Sequence, residues 1–180
     1  MAFHDLETKI HNMVDDLQGL CSTVGLSNTA NEEVIVTSVF LYKFLNDKFM
    51  YNLGRFAKEL EMSVEDVTGN EKMLNRFYRQ NATDVAFGYE DTIEYLINHL
   101  EQEDFYQQFD NALDRIAKNA RNDAFAVETA DGERTPLFTP ITVLVESKHR
   151  NNFAKSIFGI FILKSATTPL SAPSLKQWRN

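Results

Sequence analysis

Asn31-Glu-Glu-Val-Ile-Val-Thr-Ser-Val-Phe-Leu-Tyr-Lys-Phe-Leu-Asn-Asp-Lys-Phe49 is the stretch on which the fold turns. Asn31 is a good helix cap, and Glu32 and Glu33 follow where the helix dipole favours anions. Val34, Ile35, Val36, Val39, Phe40, Leu41, Phe44, Leu45 and Phe49 cover most of the circumference. A helix apolar nearly all round belongs inside a bundle. At about 1.5 Å per residue the stretch spans roughly 28 Å, the diameter of a small domain. Lys43, Asn46, Asp47 and Lys48 occupy its last turns, so that end is expected to meet solvent or a partner. The reading is a mainly α protein, a multi-helix bundle around one central apolar helix.

On its N-terminal side, Leu6, Ile10, Met13, Val14, Leu17 and Leu20 follow the helical template closely. Gly25 and Ser27-Asn-Thr-Ala-Asn31 make the connection. On its C-terminal side, Leu53, Phe56, Ala57 and Leu60 continue a helical stripe. Ser63 with Asp66 resembles a capping box, and Gly69-Asn70 ends that short helix. Further apolar faces fall at Met73 to Tyr78, Ile93 to Leu100 and Phe105 to Ile116. The period then changes: Phe125, Val127 and Thr129 alternate, and Asp131-Gly132 signals a turn. A short β-ribbon or extended arm is expected over 125–138. Thr139-Pro140 looks like a helix start, with Pro at the first helical position. Phe153, Ala154, Ile157 and Phe158 supply the last apolar face.

One domain of this length buries enough surface for a core without staples. Fourteen Phe among 180 residues, 43% of them hydrophobic, make that core aromatic-rich. The single cysteine, Cys21, excludes an internal disulfide and suits a reducing compartment. No secretory signal opens the chain, and Val34 to Tyr42 is too short to cross a bilayer. A cytoplasmic protein with no membrane partner is expected. The net charge of −8 argues against unaided nucleic-acid binding. Residues 161–180 hold Lys164, Lys176 and Arg179 and no acid, which leaves 15 basic against 26 acidic residues, or −11, over 1–160. This change of composition predicts a disordered, non-native tail over 161–180 behind a domain over 1–160.

The Phe-Leu-Tyr-Lys-Phe-Leu-Asn-Asp-Lys-Phe run resembles the N-terminal helical domain of the modification (M) subunit of type I restriction-modification systems. His4-Asp-Leu-Glu, Val127-Glu-Thr-Ala-Asp-Gly132, Pro136-Leu-Phe138 and Arg150-Asn-Asn-Phe-Ala-Lys155 extend the likeness, in order, over roughly residues 1–160. The resemblance implies an adenine-specific DNA methyltransferase subunit. In that family this domain helps to assemble the methyltransferase with the specificity subunit and closes around DNA; the restriction subunit joins the same complex. S-adenosylmethionine (AdoMet) is the cofactor of the complete family protein.

The chemistry of that catalytic domain is absent from the sequence. An AdoMet site needs a strand and a Gly-rich turn that lets the backbone approach the cofactor. Gly19, Gly25, Gly54, Gly69, Gly88, Gly132 and Gly159 are too scattered to build one. No two of Pro136, Pro140, Pro169 and Pro173 are adjacent, so the family's Asn/Asp-Pro-Pro-aromatic motif is missing as well. No cofactor, catalytic or metal site is therefore expected in this chain. His4, His11, His99 and His149 show no metal-ligand spacing. Cys21 ends an apolar stripe and reads as structural.

One polar cluster stands out. Lys148, Arg150 and Lys155, with Asn151 and Asn152, gather three cations and two amides in an otherwise acidic chain. They are candidates for contact with DNA phosphates or an acidic partner; a solvated helix end is the plainer reading. Arg115, Lys118 and Arg121 sit near a helix C-terminus, where the macrodipole accounts for them. The leading expectation is an M-subunit N-terminal domain truncated before its catalytic domain and inactive alone. The alternative is a free-standing helical regulator that binds an M or specificity subunit.

Overall fold

In the computed structural model of the chain, residues 2–165 are described. The helices are α1 (Ala2–Thr23), α2 (Ala30–Glu59), α3 (Val64–Thr68), α4 (Glu71–Gln80), α5 (Ile93–Leu96), α6 (Phe105–Lys118) and α7 (Arg150–Ser165). Short 3-10 turns link several of them. β1 (Val127–Glu128) and β2 (Arg134–Thr135) form an antiparallel ribbon with Val127 opposite Thr135. The protein is thus mainly helical with one short ribbon, as the sequence predicts.

The central helix is longer than expected. Thr29, not Asn31, caps it by accepting from the Glu32 amide at 3.1 Å. The stripe through Leu53, Phe56 and Ala57 belongs to the same helix, so α2 runs 30 residues, about 45 Å. It ends where the Met62 amide bonds back to the Ala57 carbonyl and Glu61 adopts a left-handed φ of 55°. That backbone closure stops the helix without a glycine.

Its burial follows one stripe rather than the whole circumference. Ile35, Val39, Tyr42, Asn46, Phe49, Leu53 and Phe56 are buried and alternate at spacings of four and three. Val34 and Phe44 are 44% and 37% exposed. The Tyr42 ring is the hub of the core. Its centroid lies 5.4–6.5 Å from those of Phe87, Phe109, Phe138, Phe158 and Phe161. Phe49 and Phe56 pack edge-on against Phe77 of α4 and extend the aromatic cluster.

The start of α3 follows the expected capping chemistry, and the chain breaks at Gly69-Asn70 as expected. Ser63 and Asp66 make the reciprocal capping box, and Asn70 caps α4. The helix expected at Thr139-Pro140 does not form there. The Asp110 carboxylate of α6 accepts from the amides of Ile141 and Thr142 and from the Thr142 hydroxyl, pinning that segment as a buried turn. The chain makes 3-10 turns at Thr142–Leu144 and Ser147–His149, and α7 begins only at Arg150. α7 also outlasts the expected boundary at 160. Phe161 is fully buried and the helix continues to Ser165. The rest of the expected tail, 166–180, lies outside the described residues. Among the described residues no helix is long and apolar enough to cross a membrane.

Candidate functional site

Of the four polar residues expected at an exposed end of α2, three do not face solvent. Lys43, Asn46 and Asp47 are 4%, 0% and 5% exposed. Lys43 Nζ lies 2.7 and 2.9 Å from the two Asp47 carboxylate oxygens, one helical turn away. Asn46 Oδ1 accepts from the Ile93 amide at 2.9 Å, and its Nδ2 donates to the Glu94 carboxylate at 3.1 Å. The Tyr42 hydroxyl donates to the Asp91 carbonyl at 2.8 Å. Arg115 Nε, from α6, donates to the Asp91 carboxylate at 2.7 Å.

This network is a joint between α2, the segment around α5, and α6. Its groups are bonded to one another, so their burial is tolerable and the register of the three pieces is unique. Burial pushes the Asp91 carboxyl above its ordinary range, against the pull of Arg115. Withdrawal from water also raises Glu94, against its bond from Asn46. Lys48 alone leans outward, 2.6 Å from Asp84. The sequence run that carries the family resemblance is therefore the keystone of the fold, not an exposed end.

The basic cluster divides into structural and surface members. Arg150 Nε donates to the Val145 carbonyl at 3.0 Å, closing the turn that leads into α7. Asn151 caps α6, its Oδ1 accepting from the Tyr106 amide at 3.1 Å. Lys148 pairs with Glu146 at 3.0 Å, both side chains largely exposed. Asn152 is exposed and Lys155 half-buried. The five do not follow one helix face, because Lys148 lies in the 3-10 turn before α7. Lys148 and Asn152 are the most exposed of the five.

The second basic set is also tied down. Arg115 serves the joint, Lys118 pairs with Asp114 at 2.7 Å, and the Arg121 guanidinium stacks 4.6 Å over the Tyr78 ring. Two buried polar anchors were not foreseen from the sequence. Asp110 holds residues 141–142, and Asn122 binds the Ala86 amide and carbonyl and the Ile116 carbonyl. Asn122 lies in the polar run Lys118-Asn-Ala-Arg-Asn-Asp123 and carries no local signal of burial. Among the described residues, no group of three or more His, Cys, Asp or Glu side chains is placed to hold a metal ion.

Cys21 is fully buried, and burial pushes its thiol from 9.0 to about 11. The thiolate is the reactive form, so the native protein should resist Ellman's reagent at pH 8 and react only on unfolding. The native state holds its thiol proton to higher pH than the unfolded chain. Stability should therefore fall as pH rises from 9.0 towards about 11, and Cys21→Ala should flatten that slope in denaturant melts. Rapid labelling of native protein would contradict the buried assignment.

No protein-family profile matches the chain, and no curated protein or solved structure matches it.

Proposed function

We propose that this chain is the N-terminal assembly and DNA-clamping domain of a type I restriction-modification adenine-N6 DNA methyltransferase subunit. The observation that carries the reading is the place of Phe40 to Phe49. The run that resembles the family supplies the aromatic hub and the buried polar joint on which the bundle is built. A signature of that kind marks a fold rather than a surface contact. The net charge of −8 makes DNA a ligand of the assembled complex, where other subunits supply the cations. The specificity and restriction subunits are the partners, and AdoMet chemistry belongs to the complete family protein.

Two results test the reading. The chain should bind no AdoMet in isothermal titration; saturable one-to-one binding would place catalytic machinery here and refute it. Lys148→Glu with Lys155→Glu, sparing Arg150 and Asn151 for their structural bonds, should leave the circular dichroism unchanged. In the assembled complex the same change should weaken DNA binding at low salt, with the loss shrinking as salt rises. Unchanged affinity would leave this cluster as a solvated helix start.

A free-standing regulator of an M or specificity subunit is the second reading. One observation favours it: α1, α2, α4, α6 and α7 share one contiguous core. A regulator would alter methylation when added to a complete complex, whereas an assembly domain would be required within it.

A further inference from the structure

α4 carries a stripe of cations that neither the joint nor the cluster before α7 uses. Lys72, Arg76 and Arg79 are exposed, and at spacings of four and three they share one helix face. The opposite face buries Phe77 and half-buries Met73 and Leu74, so core packing turns the cations outward. Arg121 extends the stripe from beyond α6. Its guanidinium donates to the Asn75 side-chain carbonyl at 3.0 Å and stacks 4.6 Å over the Tyr78 ring. On the other flank, Arg76 lies 5.8 Å over the Phe56 ring of α2. There Gln80 shares a polar hollow with Asn52 and Arg55, between the ends of the two helices.

None of Lys72, Arg76, Arg79 and Arg121 makes an ion pair among the described residues. In a chain with 26 acidic and 18 basic residues, four such cations side by side reverse the charge locally. The carboxylates that border them are Glu71, at the first position of α4, and Glu59, which faces Arg55 at 3.8 Å. An aromatic ring holds a guanidinium by its face and leaves the N–H fork for an anion. The composition of the face says which anion. Protein interfaces and membrane-seated helices need apolar side chains at their centre. The large exposed apolar residues, Val34, Phe44, Val127, Val143, Ile162 and Leu163, all lie outside α4 and the end of α2. Arg and Lys interleaved with Asn and Gln are the side chains that bond to phosphate and sugar.

We infer that the outer face of α4, together with Arg121, is a site for the phosphates of a nucleic-acid backbone. The inference rests on the DNA-clamping reading for its place in a complex, and on the cations alone for its ligand. The rest of the surface is acidic and repels a duplex, so affinity in the isolated chain is modest and the orientation is set. Neutralising four phosphates of duplex DNA gives log K a slope of about −3.6 against log salt.

The test titrates the full chain into fluorescent duplex DNA of about 20 base pairs and reads anisotropy from low to moderate salt. Lys72→Glu with Arg79→Glu changes two exposed side chains that have no bonded partner among the described residues, so circular dichroism and melting should not change. It should weaken binding at least about tenfold and make the salt slope shallower by about two units. Lys72→Gln with Arg79→Gln should give the same shallower slope with a smaller loss of affinity. Lys148→Glu with Lys155→Glu reverses as many charges at the start of α7 and should cost less. An equal or larger loss there would overturn the assignment to α4 and leave the DNA-clamping reading standing. No binding by the parent at low salt would also overturn the site, while that reading, which concerns the assembled complex, keeps its own test. Titrations with single-stranded DNA and duplex RNA show which source of phosphates the face prefers, and the α4 variant should weaken whichever binds. Two results would overturn the proposal by naming another occupant. One is binding of a poly-glutamate peptide as tight as that of DNA and lost in the α4 variant. The other is the same behaviour with phosphatidylserine vesicles.

Discussion

Tyr42→Ala should destabilise the protein by about 3–5 kcal/mol, the range for removing a buried aromatic ring from a core. The ring is fully buried and meets five other aromatic rings. Its hydroxyl also satisfies the Asp91 carbonyl, so that acceptor loses its partner as well. Phe44→Ala, two residues along, removes a ring that is 37% exposed and should cost less than about 1 kcal/mol. Urea melts of the two variants check this contrast directly. Single domains are held by about 5–15 kcal/mol, so the Tyr42 variant should be near the edge of folding at 37 °C. Equal midpoints for the two variants would mean that α2 buries another face.

Asp110→Ala should be the most costly polar substitution, at about 3 kcal/mol or more. The carboxylate accepts from two backbone amides and one hydroxyl, and Ile141 and Thr142 are fully buried behind it. Each buried donor left without a partner costs about 1–3 kcal/mol. Asp110→Asn keeps one acceptor oxygen and should recover part of the loss. Chemical denaturation ranks the three proteins. Hydrogen exchange at Ile141 and Thr142 should quicken in Asp110→Ala before the rest of the core responds. A uniform change across the chain would mean that Asp110 stabilises the protein in some other way.

The helical architecture and the ribbon were legible in the sequence because periodicity and capping chemistry are local. Ser63 with Asp66, the break at Gly69-Asn70 and the turn at Asp131-Gly132 each act within four residues, and each forms where expected. A count of apolar residues around α2 hides that only one stripe is buried: it includes Phe44 and Val34, which are exposed, and leaves out Tyr42, the hub of the core. The buried stripe holds Tyr42 and Asn46, whose polar atoms find partners at Asp91, Ile93 and Glu94, almost fifty residues away. Such partners have no local signature. The missing helix at Thr139-Pro140 has the same cause: a favourable local start is overruled by Asp110, 31 residues earlier. For the basic cluster, the sequence showed the charges but not that Arg150 and Asn151 are bonded to the backbone. A compositional boundary at 160 falls five residues short of the end of α7 and leaves out Phe161, which is fully buried.

The proposed assembly role is tested most directly by native mass spectrometry of this chain co-expressed with a type I specificity subunit and a methyltransferase catalytic chain from the same genome. The account predicts a discrete complex containing all three, which disperses when Tyr42→Ala unfolds the bundle. A specificity–catalytic complex that forms without this chain and never retains it would contradict the account.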